Sequence, residues 1–461
     1  MNRLTVIHEG KTVFIDYKNS ETILGALQKN GFSFRASCGG KGTCNHCLVN
    51  ADGVLKKACQ TLAKDCQTVT ILSDSLDTET TIEILSPSSH SLTPESEDSD
   101  KHFGIAVDIG TTTIALALVD LHNDSILSSH GFLNPGIAYG ADVLNRIDAS
   151  NNGKLSALKD GLISTLNREI CVLLKEKNIC PSSLSSICIA ANTTMCHLLL
   201  GLSCETLGKA PFHPVMRTYP AMSAKELLGD PFSAASNVTV LPGISAFLGG
   251  DIVSGLYSLH LEKKKNPFLF VDLGTNGEMI LGYQDQFFGT SVAAGPAFEG
   301  SRIPGSDVLA AIYEMYQKKV LDQTGLLQGI FFYGGYRYQK YHFSQEDIRQ
   351  IQLAKASVRA GIETLTDAAR IEFTDIPDVY LCGGFGTHTD TEKAISIGMF
   401  PEAFRGKMHP MGNTSLAGAV RYLSDPSDHY FNCLQRQTTI LDLSSSEIYR
   451  EAYIRWMDFG S

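Results

Sequence analysis

The sequence lacks the features of several large classes of protein. It has no apolar run of the roughly 18 residues that a membrane-spanning helix needs, so no membrane association is expected. Lys and Arg number 38 against 49 Asp and Glu, and a formal charge of −11 argues against a nucleic-acid-binding protein. The opening residues 1–6 contain no apolar signal core, and a cytoplasmic location is therefore expected.

What is present is typical of a multi-domain globular protein. The 461 residues exceed what one ordinary core holds, so two or three domains are expected, and 43% hydrophobic content excludes a disordered chain. The chain has 12 cysteines, but without a secretion signal a disulfide framework is not expected. The N-terminal cysteines have the spacing of a ligand set.

Cys38, Cys44 and Cys47 follow the pattern C-x5-C-x2-C, and Cys59 comes shortly afterwards. Iron–sulfur clusters take thiolate ligands, three of which can come from one tight loop, so these four cysteines are predicted to bind a [2Fe–2S] cluster. Cys66 is the alternative fourth ligand, although it leads directly into a predicted strand. A structural zinc site is the alternative use of the same thiolates. Glycines in the range 39–42 allow the loop to wrap a cluster.

The elements around these cysteines predict a small mixed sheet. Alternating apolar residues at 4–7 and 12–16 indicate a hairpin, Ser20 is expected to cap a helix over 21–30, and strands are expected near 46–50 and 69–72. This order resembles the β-grasp fold of plant-type ferredoxins, whose usual spacing is one residue shorter between the first two cysteines. A ferredoxin-like domain is therefore predicted over residues 1–80. Serine, proline and acidic residues then predict a flexible linker over 81–102.

Two later segments repeat one pattern, in which an apolar strand ends in Asp-x-Gly-Thr. The first is at Asp108 and the second at Asp272, and a glycine-rich turn follows another apolar strand near residue 383. Glycine lets backbone N–H groups approach phosphate oxygens, and threonine hydroxyls add donors. A duplicated pair of such turns followed by the third is a specific pattern, whereas one alone would be an ordinary β-turn.

The three turns resemble those of the acetate and sugar kinase/Hsp70/actin superfamily, in which two ribonuclease-H-like halves enclose ATP. The expected fold class is thus an α/β multi-domain protein, with the β-grasp domain first and then an actin-like ATPase over 103–461, in halves of about 103–265 and 266–461. The resemblance implies ATP as ligand, with Mg²⁺ held through waters by Asp108 and Asp272. The residues implied to bind the nucleotide are Asp108, Gly110, Thr111, Thr112, Thr113, Gly249, Gly250, Asp272, Gly274, Thr275, Asn276, Gly277, Gly295, Gly383, Gly384 and Gly386.

The catalytic carboxylates are predicted to be Asp108, Asp272, Glu278 and Glu299. Either of the two glutamates could orient the attacking water, and each could equally be an ordinary surface or capping carboxylate. His197, in a predicted hinge loop, is expected to be a core histidine with satisfied hydrogen bonds.

The combination of cysteine loop and ATP turns resembles the reductive activators of corrinoid proteins. The stretches at 133–143, 191–195, 295–300 and 381–386 are also similar to that family. The resemblance implies ATP-dependent transfer of one electron from the cluster to Co(II) of a corrinoid protein, which restores Co(I) in a methyl-transfer system. It also implies an upstream electron donor such as a ferredoxin or flavoprotein, and a homodimer is compatible with it.

Two departures and several alternatives accompany this interpretation. Many members carry an extra domain between the two modules, where this chain has only the linker, and Asn134-Pro-Gly has a glycine where glutamine is expected. A small-molecule kinase and a non-hydrolysing, nucleotide-binding redox sensor are the alternative functions. Activators of 2-hydroxyacyl-CoA dehydratases share the ATP fold, but their [4Fe–4S] cluster lies between two subunits, which does not suit this cysteine pattern.

Overall fold

The computed structural model describes residues 2–8, 10–30, 32, 40–42, 47–72, 84–85, 103–274, 276–294, 305–386 and 389–460. It contains three main sheets, one in each segment for which a domain or half was predicted. Within the described part of the chain, no helix is both long and apolar enough to cross a membrane.

The N-terminal sheet is small and mixed. Its strand order is β2-β1-β5-β3-β4, with β1 parallel to β5 and antiparallel to β2. The elements are β1 (Asn2–His8), β2 (Lys11–Tyr17), α1 (Ile23–Lys29), β3 (Leu48–Ala51), β4 (Val54–Lys57) and β5 (Thr68–Ile71). Helix α1 contributes buried apolar residues to the core of this sheet. The predicted hairpin is confirmed, and the arrangement agrees with the predicted β-grasp order.

Two details of this region differ from the sequence prediction. Helix α1 is capped by Thr22, whose side chain accepts from the Gly25 N–H at 3.2 Å, and not by Ser20. Strand β4 was not predicted; it forms because Asp52 and Gly53 both adopt positive φ, which closes a tight hairpin with β3.

The first half of the ATPase region is a six-stranded sheet of order β10-β11-β9-β6-β7-β8. Strands β6, β7 and β8 form an antiparallel meander, while β9 and β11 run parallel to β6. The elements are β6 (Phe103–Ile109), β7 (Thr113–Asp120), β8 (Ser125–Leu133), α2 (Val143–Ala149), α3 (Leu155–Glu176), β9 (Leu184–Ala191), α4 (Thr193–Leu200), β10 (Met222–Ser223), α5 (Ala224–Leu228), β11 (Asn237–Val240) and α6 (Gly250–Ser258).

The second half repeats this plan in the order β18-β17-β12-β13-β14-β19. Again three strands form an antiparallel meander, and β17 and β18 run parallel to β12. The elements are β12 (Phe268–Leu273), β13 (Gly277–Tyr283), β14 (Gln286–Val292), α7 (Gly305–Gln317), α8 (Phe331–Gly334), β15 (Tyr336–Tyr338), β16 (Tyr341–Phe343), α9 (Gln345–Ala369), β17 (Asp378–Cys382), α10 (Gly383–Gly386), α11 (Thr391–Ser396), β18 (Met408–Gly412), α12 (Thr414–Ser424), α13 (Asp428–Gln437), β19 (Thr438–Ile440) and α14 (Glu447–Arg455). The duplicated α/β architecture is therefore confirmed.

Helices α6 and α12 join the two halves. They cross so closely that a Cβ at Gly418 would collide with the Ser254 carbonyl, and Ser254 Oγ donates to the Ser415 carbonyl at 2.7 Å. Helix α12 also packs on β6 and β9, although it follows the second half in sequence. The beginnings of both helices consequently lie beside the strand ends that carry the predicted phosphate turns.

Candidate functional site: an acidic cleft between the halves

Each of the two predicted phosphate turns is closed by a glycine N–H that donates to a carbonyl further along the turn, three residues on in the first and two residues on in the second. Gly110 N–H donates to the Thr113 carbonyl at 2.9 Å, and Gly274 N–H donates to the Asn276 carbonyl at 2.9 Å. A Cβ at Gly110 would lie 2.9 Å from that Thr113 oxygen, so a side chain would force the first turn open. Both turns join antiparallel strands directly after an aspartate, as the duplicated sequence pattern predicts.

Asp108, at the end of β6, is held by residues from the far end of the chain. Its Oδ2 accepts from Asn413 Nδ2 at 2.9 Å and its Oδ1 from Ser415 Oγ at 2.7 Å. Asn413 also caps α12 by accepting from the Leu416 N–H. Burial raises the pKa of Asp108, and these two hydrogen bonds oppose that rise. The first turn is therefore fixed by the start of a helix that follows the second half in sequence.

Asp272 occupies the equivalent position in the second half. Burial, followed by the charge of Asp108, raises the pKa of Asp272 to about 7. Gly383, at φ +78°, approaches this carboxylate so closely that a Cβ would collide with its Oδ1. The third glycine-rich turn therefore packs directly on the second phosphate turn.

Asp251 is a cleft residue that the sequence prediction missed. It lies in the first turn of α6, where its Oδ1 accepts from the Ile252 N–H at 2.9 Å. Burial and the charges of Asp272 and Asp108 raise its pKa to about 8, and Asp251 in turn raises the pKa of Glu278. Asp251 is thus electrostatically coupled to each of the other three described carboxylates of the cleft.

Gly249 and Gly250, which were predicted as site residues, lie too close to neighbouring backbone for a side chain. A Cβ at Gly249 would lie 2.6 Å from the Asn192 Cα, and one at Gly250 would lie 2.5 Å from the Leu241 carbonyl oxygen. The absence of side chains at these positions therefore lets α6 begin against the β9–α4 junction and directs Asp251 into the cleft.

Glu278 is brought to the cleft, whereas Glu299 lies outside the described residues together with Thr275 and Gly295. Glu278 is opposite Asp272 in the β12–β13 ladder, and its Oε1 accepts from Ser291 Oγ at 3.3 Å. Burial, followed by the charges of Asp251 and Asp272, raises the pKa of Glu278 well above its ordinary value. Of the two predicted water-orienting glutamates, Glu278 has a position consistent with that role.

Thr111 of the first turn is bonded to the residue at which α4 begins. Asn192, which caps α4, donates from Nδ2 to Thr111 Oγ1 at 3.1 Å. His197 lies behind it with both ring nitrogens engaged, Nδ1 with the Thr193 carbonyl and Nε2 as acceptor from the Val215 N–H. His197 is therefore a satisfied core histidine, as predicted, but it lies on helix α4 (Thr193–Leu200) and not in a loop, so that part of the prediction was wrong.

The four described carboxylates of the cleft, all with raised pKa values, are expected to bind a cation that compensates their charge. Burial and mutual repulsion both disfavour the ionised forms, and a bound divalent cation would reverse both effects. Within the described residues, no group of three or more His, Cys, Asp or Glu side chains is placed to ligate a metal ion directly. The arrangement suits a hydrated Mg²⁺ carried in with polyphosphate, because Mg²⁺ keeps several of its waters.

The described part of the cysteine loop is also built for close packing. Cys47 and Cys59 are both buried, and Ala58 N–H donates to the Cys47 carbonyl at 2.8 Å. Cys38 and Cys44 lie outside the described residues. Cys66 Sγ instead donates to the Ala63 carbonyl at 3.5 Å, and burial raises the pKa of this thiol. The Cys66 thiol is thus bonded to a backbone carbonyl, and this favours Cys59, which is equally buried, as the fourth ligand.

Two family models match the ATPase region. One, described as the RACo middle region, matches residues 103–264, and the other, described as the C-terminal domain of RACo, the ASKHA domain, matches residues 266–304 and 301–460. Together they span nearly all of the duplicated fold.

Named proteins are similar over most of the chain. The corrinoid activation enzyme RamQ of Eubacterium limosum is 27% identical over 430 residues, covering 80% of this chain and 72% of that protein. The [Co(II) methylated amine-specific corrinoid protein] reductase of Methanosarcina barkeri is 22% identical over 417 residues, covering 76% of each.

A solved structure, the reductive activator for corrinoid, iron–sulfur protein, has the same fold. It superposes with a TM-score of 0.70 at 22% identity, covering 99% of this chain and 98% of that one. Both family models are of RACo, and both named relatives act on corrinoid proteins. The chain therefore belongs to the RACo family, the reductive activators of corrinoid proteins.

Proposed function

We propose that this protein uses ATP to transfer one electron from an N-terminal [2Fe–2S] cluster to Co(II) of a corrinoid protein in a methyl-transfer system, restoring Co(I). The observation that carries the proposal is the convergence of Asp108, Asp251, Asp272 and Glu278 in the cleft of a chain that also carries the cysteine loop. The names of two relatives, a corrinoid activation enzyme and a Co(II) corrinoid protein reductase, support the choice of acceptor.

The cluster would be held by Cys38, Cys44, Cys47 and Cys59. The fit is supported by the burial of the latter two thiols and by the loop between the first two, where Gly40 and Gly42 adopt φ values of +83° and +77°. A [2Fe–2S] cluster bound there would supply a single electron at low potential. The chain would contribute the four thiolates and would exclude water around the two that are buried, and the environment of the ligands tunes the potential of such a cluster.

ATP would occupy the cleft with its phosphates against the two Gly-Thr turns. Asp108 and Asp272 would hold the waters of Mg²⁺, and Gly383 and its neighbours would lie under the adenosine. Asp251 and Glu278 are then the residues available to orient the attacking water and accept its proton. A raised pKa suits such a base, because proton transfer is most efficient when the pKa is near the working pH.

The energetic need for ATP follows from the redox step. Plant-type clusters have potentials near about −400 mV, and reduction of Co(II) in corrinoids requires a strongly negative potential. Each 100 mV of deficit costs about 2.3 kcal/mol per electron. Binding and hydrolysis of ATP would change the affinity of the protein for its corrinoid partner between two states of the cleft, so that the uphill transfer becomes productive.

The proposal is tested with anaerobically reconstituted protein and a corrinoid protein poised as Co(II). The visible spectrum should show loss of Co(II) and appearance of Co(I) when ATP, Mg²⁺ and a low-potential reductant are all present. Omission of ATP should leave Co(II) unchanged. ADP formation measured in parallel with a panel of sugars, but without corrinoid protein, tests the kinase alternative, because a kinase transfers the phosphoryl group to the sugar and releases ADP; sugar-dependent ADP formation without cobalt reduction would contradict the proposal.

A further inference from the structure

One lysine links the cysteine loop to the ATPase region. Lys41 lies between Cys38 and Cys44 in sequence, and its Nζ is 3.0 Å from Asp148 Oδ2 and donates to Asn145 Oδ1 at 3.3 Å. Both partners belong to α2 of the first half, more than 100 residues away. The contact places the described part of the loop, residues 40–42, against one short helix.

Both sides of this contact are held in place. On α2, Asp142 accepts from the Asn145 N–H and side-chain amide, each at 2.7 Å, which orients the Asn145 oxygen. On the loop, Lys57 Nζ donates to the Gly42 carbonyl and Gln60 Nε2 to the Gly40 carbonyl, each at 2.5 Å. The lysine is therefore presented from a fixed segment to a fixed acceptor pair.

The charges of the two parts favour this contact. Residues 1–72 carry nine Lys and Arg and five Asp and Glu, a formal charge of +4, whereas the complete chain has −11. A basic N-terminal module is thus joined to a strongly acidic remainder. Attraction of this kind brings the two together, and it weakens as salt screens the charges.

The acceptor helix is also connected to the first phosphate turn. Asn134, fully buried, donates from its backbone N–H to the Thr112 carbonyl at 2.9 Å and from Nδ2 to the Gly110 carbonyl at 2.7 Å. The chain continues from Asn134 through a 3₁₀ helix, Pro135–Tyr139, directly to α2. Buried Arg146 of α2 closes the unit by donating to the Gly140 carbonyl at 3.1 Å.

We propose that α2 is the docking site of the cluster loop, with Lys41 as the contact residue, and that nucleotide at the first phosphate turn changes its occupancy through Asn134. The inference rests on the proposed function, since it assigns the partner of the cluster module within the same chain. An exposed ion pair is weak, so the module can leave and return within each cycle. A linker of the composition predicted for residues 81–102 spans on average roughly 20–30 Å over about 20–30 residues, which is enough for such a movement.

Zero-length carbodiimide cross-linking tests the docking. The reagent joins an ammonium to a carboxylate in contact as an amide with loss of water, so peptide mass mapping of the full chain should find a Lys41–Asp148 link. Lys209–Glu205, at 3.1 Å with side chains 70% and 65% exposed, is the internal control for an intramolecular pair within one half. Formation of the control link without the Lys41 link would overturn the proposal.

Variants and conditions make the result specific. Asp148→Asn should abolish the link, while the exchange Lys41→Asp with Asp148→Lys should restore it. Raising salt from about 0.05 to 0.5 M should lower its yield severalfold, because the Debye length falls from about 14 to 4 Å, and lower the control link less. A yield independent of salt would refute the proposed electrostatic origin.

The nucleotide response is measured in the same assay. A non-hydrolysable ATP analogue with Mg²⁺ should change the Lys41–Asp148 yield at least twofold and leave the control link unchanged, and Asn134→Ser should remove the response. An unchanged yield in wild type would refute the link to the phosphate turn. The cross-linking assay needs no corrinoid protein and is therefore independent of the cobalt assay. Protein that forms the Lys41–Asp148 link but does not reduce cobalt would contradict the proposed function and still support the docking site.

Discussion

Replacement of Asp251 by Asn should make the protein more stable and less active at the same time. The side chain is held in the field of three other carboxylates, and its pKa is raised to about 8. In the unfolded chain the pKa is about 3.9. The folded state therefore binds a proton at neutral pH that the unfolded state does not, and stability of the ligand-free protein falls as pH rises between those two values.

The size of the effect follows from the same pKa difference. Holding that proton at pH 7, about three units above the unfolded pKa, costs at most about 4 kcal/mol. Coupling to Asp272 spreads part of this cost over both groups, so we expect Asp251→Asn to stabilise the apo protein by about 2 kcal/mol. Loss of the group that orients or deprotonates the attacking water should lower ATP turnover about 10²- to 10⁴-fold.

The assay is denaturant unfolding of apo protein at pH 5 and pH 8, with phosphate release measured at saturating ATP. The stability gain should be large at pH 8 and small at pH 5. Asp160→Asn, an exposed substitution on α3, is the matched control and should change neither quantity. An Asp251→Asn protein that is destabilised at pH 8 would contradict the raised pKa of Asp251, and one that hydrolyses ATP at the wild-type rate would contradict its role in hydrolysis.

Three further predictions follow from the structure. Cys59→Ser should remove both the visible absorption of the reconstituted cluster and cobalt reduction, while ATP turnover persists. Cys66→Ser should retain the spectrum. The reverse pattern would make Cys66, and not Cys59, the fourth ligand. Binding of a Mg²⁺–ATP analogue at pH 7 should release about one proton, because Asp251 and Asp272 must ionise beside the cation. Calorimetry in buffers of different ionisation enthalpy measures this release. Binding without proton release would contradict a cation held by these groups. Burial lowers the pKa of Lys355 to about 7, and its Nζ donates to the Trp456 and Asp458 carbonyls. Since the unfolded lysine keeps its proton up to about pH 10, stability should rise from pH 7 to 9 in wild type and less in Lys355→Met, and parallel profiles would argue against this assignment.

The duplicated fold could be predicted because its signals are local. Each Asp-x-Gly-Thr follows an apolar strand and precedes another, and in the structure the glycine N–H of each donates to a carbonyl within the turn that joins the two strands. The long helix α9, Gln345–Ala369, also carries a local signal, because its buried apolar residues recur with a period near 3.6. By contrast, Asp52-Gly53 is a sequence typical of a two-residue hairpin turn, and the sequence prediction nevertheless omitted the β3–β4 hairpin that it forms.

The site could be predicted where its residues belong to the repeated glycine-rich segments and their flanking strands, and not where distant segments meet. Asn413 and Ser415 hold Asp108 from about 300 residues away, and no local pattern relates them to it. Asp251 carries a first-turn helix signal after two glycines, but its position beside Asp272 depends on how α6 packs between the halves. Such contacts are set by tertiary packing, which sequence spacing does not encode.

The most direct test of the account is the cobalt spectrum of a corrinoid protein mixed with the reconstituted, reduced protein in the absence of oxygen. Co(I) should appear on addition of ATP and Mg²⁺, and it should fail to appear with Cys44→Ala protein that still hydrolyses ATP. Reduction of cobalt at the same rate without nucleotide, or by the cluster-free variant, would contradict the coupling of the two modules.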